Sequence, residues 1–347
     1  MENNKEFDLI MHDITSGLTG DPNVDIPYLN EQCEKYSNHI LGKEITRACG
    51  RLIYEMIPED EKAEFNKAIS NDYAGTESIL EAVRFNIYKR DFNRALNLIE
   101  PLIQRIEYGK PFEDDQASEY HTFAETFEEV LYIFRSRPEK DVRKATIPLA
   151  DIYLLYGSVL VDLKRIPEAQ DAFKKALRWN PTNFLITSEY IETYKIIGDL
   201  DSFYKLTIAA FSIAFRPQHV ARCYRNLGFY FVEKQLFSEA IACYLLSLQY
   251  EKDSKQAQSE LFYINNQTKA TIKQPTLEDA KQFANKYGFP IGADQDILGL
   301  SYSYGKHFYD DRQFDAAEYF FAITYGLTGD AEIKKLIDYC TGQSTNV

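Results

Sequence analysis

The stretch ADIYLLYGSVLVDLKRIPEAQDAFKKALRWNP, Ala150 to Pro181, carries two apolar stripes joined by a short polar turn. Gly157 is followed twelve residues later by Ala169 and sixteen later by Phe173. Large residues flank the small ones at i+3 and i+4 spacing, the period of a helix that buries one face. Two helices folded back on each other satisfy this pattern, with the small residues admitting close approach of the two backbones.

The pattern returns twice. Gly228 leads to Ala240 and Tyr244, and Gly305 leads to Ala317 and Phe321. Tyr156, Leu227 and Tyr304 precede the three glycines, and Leu160, Phe231 and Phe308 follow them by three. Ala176, Ser247 and Thr324 each stand nineteen residues after a glycine. A weaker copy runs in register from Phe184, with a turn at Gly198-Asp199. KRDFNRALNLIEPLI around Ala95 reads as the second helix of a divergent copy starting near Thr76. Residues 254–288 read as one more pair, with a helix near KQAQSELFYI and another at LEDAKQFANKYG. Thr276 would cap the latter and Gly288 would stop it.

These columns resemble the tetratricopeptide repeat, a helix–turn–helix unit of about 34 residues with the pattern W-x2-L-G-x2-Y…A-x3-F…P. Tyr153 stands where the family has Trp, and Pro181 closes the copy. The resemblance implies an all-α fold, a right-handed α-α superhelix of tetratricopeptide and similar helical hairpins. It divides the chain into an N-terminal helical region at 1–74, an effector module or further divergent repeats, and a superhelix over 75–347. An acidic insertion at 110–147 interrupts the latter and reads as a loop plus a helix, with no strand-like alternation anywhere.

GLTGD occurs twice, at residues 17–21 and 326–330. A phosphate-binding turn would need a strand before it and Gly-Lys-Ser/Thr after it, and neither is present. Both copies therefore read as turns between helices. Gly329 or Gly326 would stop one helix, Asp330 or Thr328 would cap the next, and Pro22 suits a first helical turn.

A net charge of -14 argues against nucleic acid or an anionic membrane as partner. No apolar run approaches the roughly 18 residues of a membrane span. Five scattered cysteines and a start without a signal-peptide pattern are expected of an acidic cytoplasmic protein with reduced thiols. No motif of a nucleophile, a dinucleotide site or a zinc protease is present, so neither catalysis nor a cofactor is expected. His121, Glu125 and Glu128 would share a helical face. That set supplies too few ligands for a metal and reads as a solvated acidic face.

In proteins of the resembled family the first helix of each pair lines a concave groove that binds an extended peptide or a partner's helix. On this sequence the groove positions include Lys195 in the second copy, then Arg222, Arg225, Asn226 and Phe229 around Gly228. Tyr302, Lys306 and Tyr309 occupy them around Gly305. Arginine forks suit a carboxylate, and Asn226 suits a peptide amide. The competing reading is that the arginines neutralise Glu189, Glu192 and Glu233. Known carboxylate-clamp domains of the family have Asn where Glu189 stands, so that particular clamp is not expected. The expected function is a non-catalytic protein- or peptide-binding scaffold, its partner a protein or extended peptide that offers a carboxylate. The alternative is a cytoplasmic peptide-sensing regulator with an N-terminal helical effector module.

Overall fold

A computed structural model describes residues 2–56, 58, 75–110 and 112–344. The chain divides into two compact units. The first holds the described residues up to Thr122 together with Arg137–Val159, the second Phe123–Ser136 together with the described residues from Leu160 onward.

In the first unit, α1 (Glu2–Ser16), α2 (Pro22–Lys35) and α3 (Gly42–Met56) enclose a core that includes Phe7, Ile14, Leu29, Ile45 and Cys49. The first GLTGD joins α1 to α2. Gly20 takes φ +86°, and Asp21 caps α2 by accepting from the Asn23 N–H at 3.0 Å. The buried Asp25 carboxylate accepts from the Thr19 N–H at 2.8 Å, the Thr19 hydroxyl at 2.9 Å and the Gly20 N–H at 2.8 Å. These bonds, the Thr19 N–H foremost, hold its pKa below the ordinary aspartate value. The donors that could have cradled a phosphate already serve the chain's own carboxylate. Of the expected N-terminal helical region, residues 1, 57 and 59–74 lie outside the described residues.

A hairpin of α4 (Thr76–Tyr88) and α5 (Phe92–Gly109) stands where the divergent copy was expected, with Leu80, Val83, Ala95 and Ile99 buried. The acidic insertion differs from expectation. It contains β1 (Ser118–His121), then α6 (Thr126–Ser136), which belongs to the second unit, then β2 (Asp141–Lys144). The strands pair in parallel, Ser118 opposite Asp141 and His121 opposite Lys144. Four-residue strands are too short to print a period of two. Some of the acids fold the loop: Asp115 accepts from the Ala117 and Ser118 N–H groups, and Asp114 from that of Tyr120. The architecture is thus largely helical with this small sheet added.

The quoted stretch forms α7 (Leu149–Asp162) and α8 (Ile166–Trp179). Then come α9 (Phe184–Ile197), α10 (Leu200–Ala210), α11 (Pro217–Glu233), α12 (Phe237–Tyr250) and α13 (Lys255–Gln267). From α8 to α13 each helix packs on the next. After α14 (Leu277–Tyr287), α15 (Gln295–Asp310) packs on α16 (Phe314–Thr328), and α16 on α17 (Ala331–Ser344).

The glycine column has a direct cause. A Cβ on Gly228 would lie 2.7 Å from the Tyr244 ring, and one on Gly305 2.6 Å from the Phe321 ring. The aromatic sixteen residues on therefore sits against the glycine backbone, while Ala240 and Ala317 are fully buried beside it. In the weaker copy the volumes are exchanged. Ile191 stands at the glycine position and Thr207 at the aromatic one, both buried, and Phe203 fills the alanine position.

The hairpin turns share one backbone device. Arg90, Lys164, Gln235 and Arg312 all take positive φ, between 45° and 65°. In each case the next residue's N–H donates to a carbonyl five positions back, as Leu236 does to Phe231 at 2.8 Å and Gln313 to Phe308 at 2.8 Å. Gly198 makes the same left-handed stop between α9 and α10.

α14 forms no hairpin with α13, contrary to expectation, although its Thr276 capping box and Gly288 stop are as read. It packs on α12. The Tyr204 hydroxyl donates to the Tyr287 carbonyl at 2.7 Å, and the Tyr287 hydroxyl to Glu239 at 3.0 Å. The Tyr224 hydroxyl donates to the Pro290 carbonyl and accepts from the Gly292 N–H. The second GLTGD ends α16, with Gly329 at φ +67° and Asp330 accepting from the Glu332 N–H at 2.8 Å. It is a turn. Among the described residues no helix is long and apolar enough to cross a membrane.

Candidate functional site

Spacing on α11 brings Arg222, Arg225, Asn226 and Phe229 to one helical face. The helix is held by its other side, where Val220, Cys223, Tyr224, Leu227 and Phe231 are buried. Arg222 Nη2 donates to Glu189 Oε1 of α9 at 3.3 Å, both side chains about one third exposed. Arg225 turns the other way and donates to Glu251 at 2.5 Å, with Ser254 Oγ at 3.5 Å. Its side chain is only 12% exposed, and its buried Nε has no partner. Phe229 meets Phe203 edge to face at 5.6 Å. Lys195 of α9 stands 4.2 Å from the Phe229 ring centroid and 3.7 Å from Glu192.

Both arginine charges are thus met from within the chain. Glu189 is the partner the competing reading named for this patch; Glu251, just past the end of α12, was not foreseen because only the fold brings it to α11. Half-exposed pairs of this kind contribute about 0–1 kcal/mol, so a ligand can compete for Arg222 at little cost. Asn226 is different: half-buried on the same face, its amide has no hydrogen-bond partner among the described residues. His219, one turn before Arg222, adds no charge. It stacks on Phe184 at 4.1 Å, and burial pushes its pKa down to about 3.

Tyr302, Lys306 and Tyr309 gather elsewhere. Tyr302 is 43% exposed and leans on Phe321 at 6.1 Å. Lys306 donates to Asp310 at 2.5 Å and lies 5.1 Å from the Tyr309 ring centroid. Tyr309 packs against Phe314, Phe321 and Tyr339. This group shares no hydrogen bond, ion pair or ring contact with the α9–α11 group among the described residues.

The acidic trio expected on one solvated face is dispersed. His121 lies in β1, with Nε2 3.4 Å from Glu119. Glu125 pairs with Arg216 and accepts from the Tyr319 hydroxyl at 3.2 Å. Glu128 is buried and accepts from Asn180 Nδ2 and Asn183 Nδ2, both at 2.8 Å, and from the Ala124 N–H at 2.7 Å. Burial raises its pKa even against these bonds. It fixes α6 to the turn between α8 and α9. Among the described residues no three His, Cys, Asp or Glu side chains are placed to hold a metal ion.

A family model, that of the tetratricopeptide repeat, matches residues 150–183. Those residues carry the repeat motif. The matched stretch ends at Asn183, which caps α9 by accepting from the Ile186 N–H at 3.0 Å, so the repeat closes where the next hairpin opens. Comparison with curated proteins gave no match. The α11–α12 and α15–α16 hairpins carry the same glycine, alanine and aromatic columns as this repeat. No catalytic motif accompanies them.

Proposed function

We propose that the chain is a non-catalytic scaffold that binds an extended peptide or protein segment along the first-helix face of its hairpins. The observation that carries this reading is Asn226. A half-buried amide with no internal partner and its polar atoms open to solvent is a donor and acceptor pair free to take a ligand, and a peptide backbone offers the complementary pair. Arg222, one turn before it, supplies a guanidinium fork for a carboxylate once Glu189 yields. Phe229, backed by Phe203 and by the Lys195 ammonium, is a firm apolar step beside them. Arg225 is mostly buried against Glu251 and holds the platform in place. Tyr302, Lys306 and Tyr309 are a second stretch of the same kind of surface on α15.

Panning short linear peptides displayed on phage against the full chain tests this reading. Peptides enriched on the wild type should bind Asn226→Ala and Arg222→Gln roughly tenfold or more weakly, with melting temperature little changed. Equal binding to both variants would remove the α11 face from the site.

A further inference from the structure

The end of the second unit holds a pocket that shares only Tyr309 with the proposed face. α15, the turn after it, α16 and α17 line an open depression of about 370 Å³ between Tyr309, Asp310, Arg312, Phe314, Tyr339 and Gln343. Three of these are aromatic and touch one another. Tyr309 and Phe314 lie 6.0 Å apart at 77°, Phe314 and Tyr339 5.8 Å apart at 76°, and Tyr309 and Tyr339 5.5 Å apart at 50°. Mutually tilted rings leave both faces and edges for a further ring to meet. Tyr339 and Gln343 are four residues apart on α17, so one helical face presents both.

The polar groups decide the sign of the ligand's charge. Asp310 is already neutralised by Lys306 at 2.5 Å. Arg312 is exposed and held in the turn at φ +59°, and its guanidinium has no ion pair or hydrogen bond among the described residues. The hydroxyls of Tyr309 and Tyr339 and the Gln343 amide also have no hydrogen-bond partner there. Three aromatic rings alone would suit a quaternary ammonium. Arg312 opposes it, since Lys306 and the one lining carboxylate, Asp310, neutralise each other and leave the guanidinium as the one unpaired charge among the lining residues. The uncompensated charge is positive, and a guanidinium fork is complementary to a planar anion.

We infer that this pocket binds a ligand joining an aromatic ring to a carboxylate, the ring among Tyr309, Phe314 and Tyr339 and the carboxylate on Arg312. The C-terminal residue of a peptide and a free aromatic acid both have this chemistry, and the volume suits a ligand of that size. The pocket shares Tyr309 with the α15 stretch of the proposed surface but no residue with the α9–α11 face, so the Asn226 and Arg222 variants that test the scaffold reading leave it unchanged.

Calorimetric titration of the full chain with N-acetylphenylalanine and with acetyl-Gly-Gly-Phe, each as acid and as carboxamide, tests it. The acids should bind, the carboxamides roughly tenfold or more weakly, and Arg312→Gln should lose a similar factor for the acids alone. Glutamine is tolerated in this turn, since Gln235 takes φ +59° in the matching one, so the variant keeps the fold. Tyr339→Ala should weaken acid and carboxamide alike. The tighter acid identifies the source, peptide end or free acid. Equal binding of acid and carboxamide, no binding of either acid, or binding of tetramethylammonium in their place would each overturn the assignment.

Discussion

A methyl group at Gly228 would meet three carbons of the Tyr244 ring at 2.7–2.8 Å, inside any normal contact distance. The ring is buried and cannot swing away, so the helices must part. Gly228→Ala should cost about 1–3 kcal/mol of overpacking, of which helix propensity returns up to about 1 kcal/mol. Gly299, also inside a helix, has no atom within 4 Å of its missing Cβ. There the same substitution should stabilise by about 0.5–1 kcal/mol. Urea denaturation of the two variants should therefore move the midpoint in opposite directions. The glycine spacing was legible in the sequence; that the aromatic sixteen residues on seats against it needed the structure.

Hairpin turns carry the next scale. Four of them place a residue with a Cβ in the left-handed region, where only glycine is at ease. Replacing the exposed Gln235 by glycine should raise stability by about 0.5–1 kcal/mol, read from thermal unfolding, with the larger entropy of the unfolded glycine already deducted. The helices and several of their stops were readable because Thr276, Gly288, Gly198 and Asp330 act locally. β1 and β2 were not, because strands of four residues exist only through their pairing. The return of α14 onto α12 was also hidden. It depends on Tyr204, Tyr224 and Glu239, residues distant in sequence that only the folded chain assembles. The ion pair of Arg225 was hidden for the same reason: its partner Glu251 is 26 positions away.

Across the whole molecule, two compact units share the load, and chains built so need not unfold in one step. The single tryptophan, Trp179, lies in the second unit, on α8, with Arg178 over its ring at 4.1 Å. Its fluorescence reports that unit alone, whereas far-ultraviolet circular dichroism sums the helices of both. Urea curves from the two probes should separate, with dichroism showing a change that tryptophan does not; superimposed curves would mean that the units melt together.

The inverted pair Ile191 and Thr207 shows that a hairpin of this kind can be packed with its large and small residues exchanged. Drift at one of two facing sites is harmful until the other compensates, so such positions change in concert. Their family signature then fades while the hairpin keeps its shape. A chain can in this way remain a repeat to its own neighbours in space long after it has ceased to be one in letters.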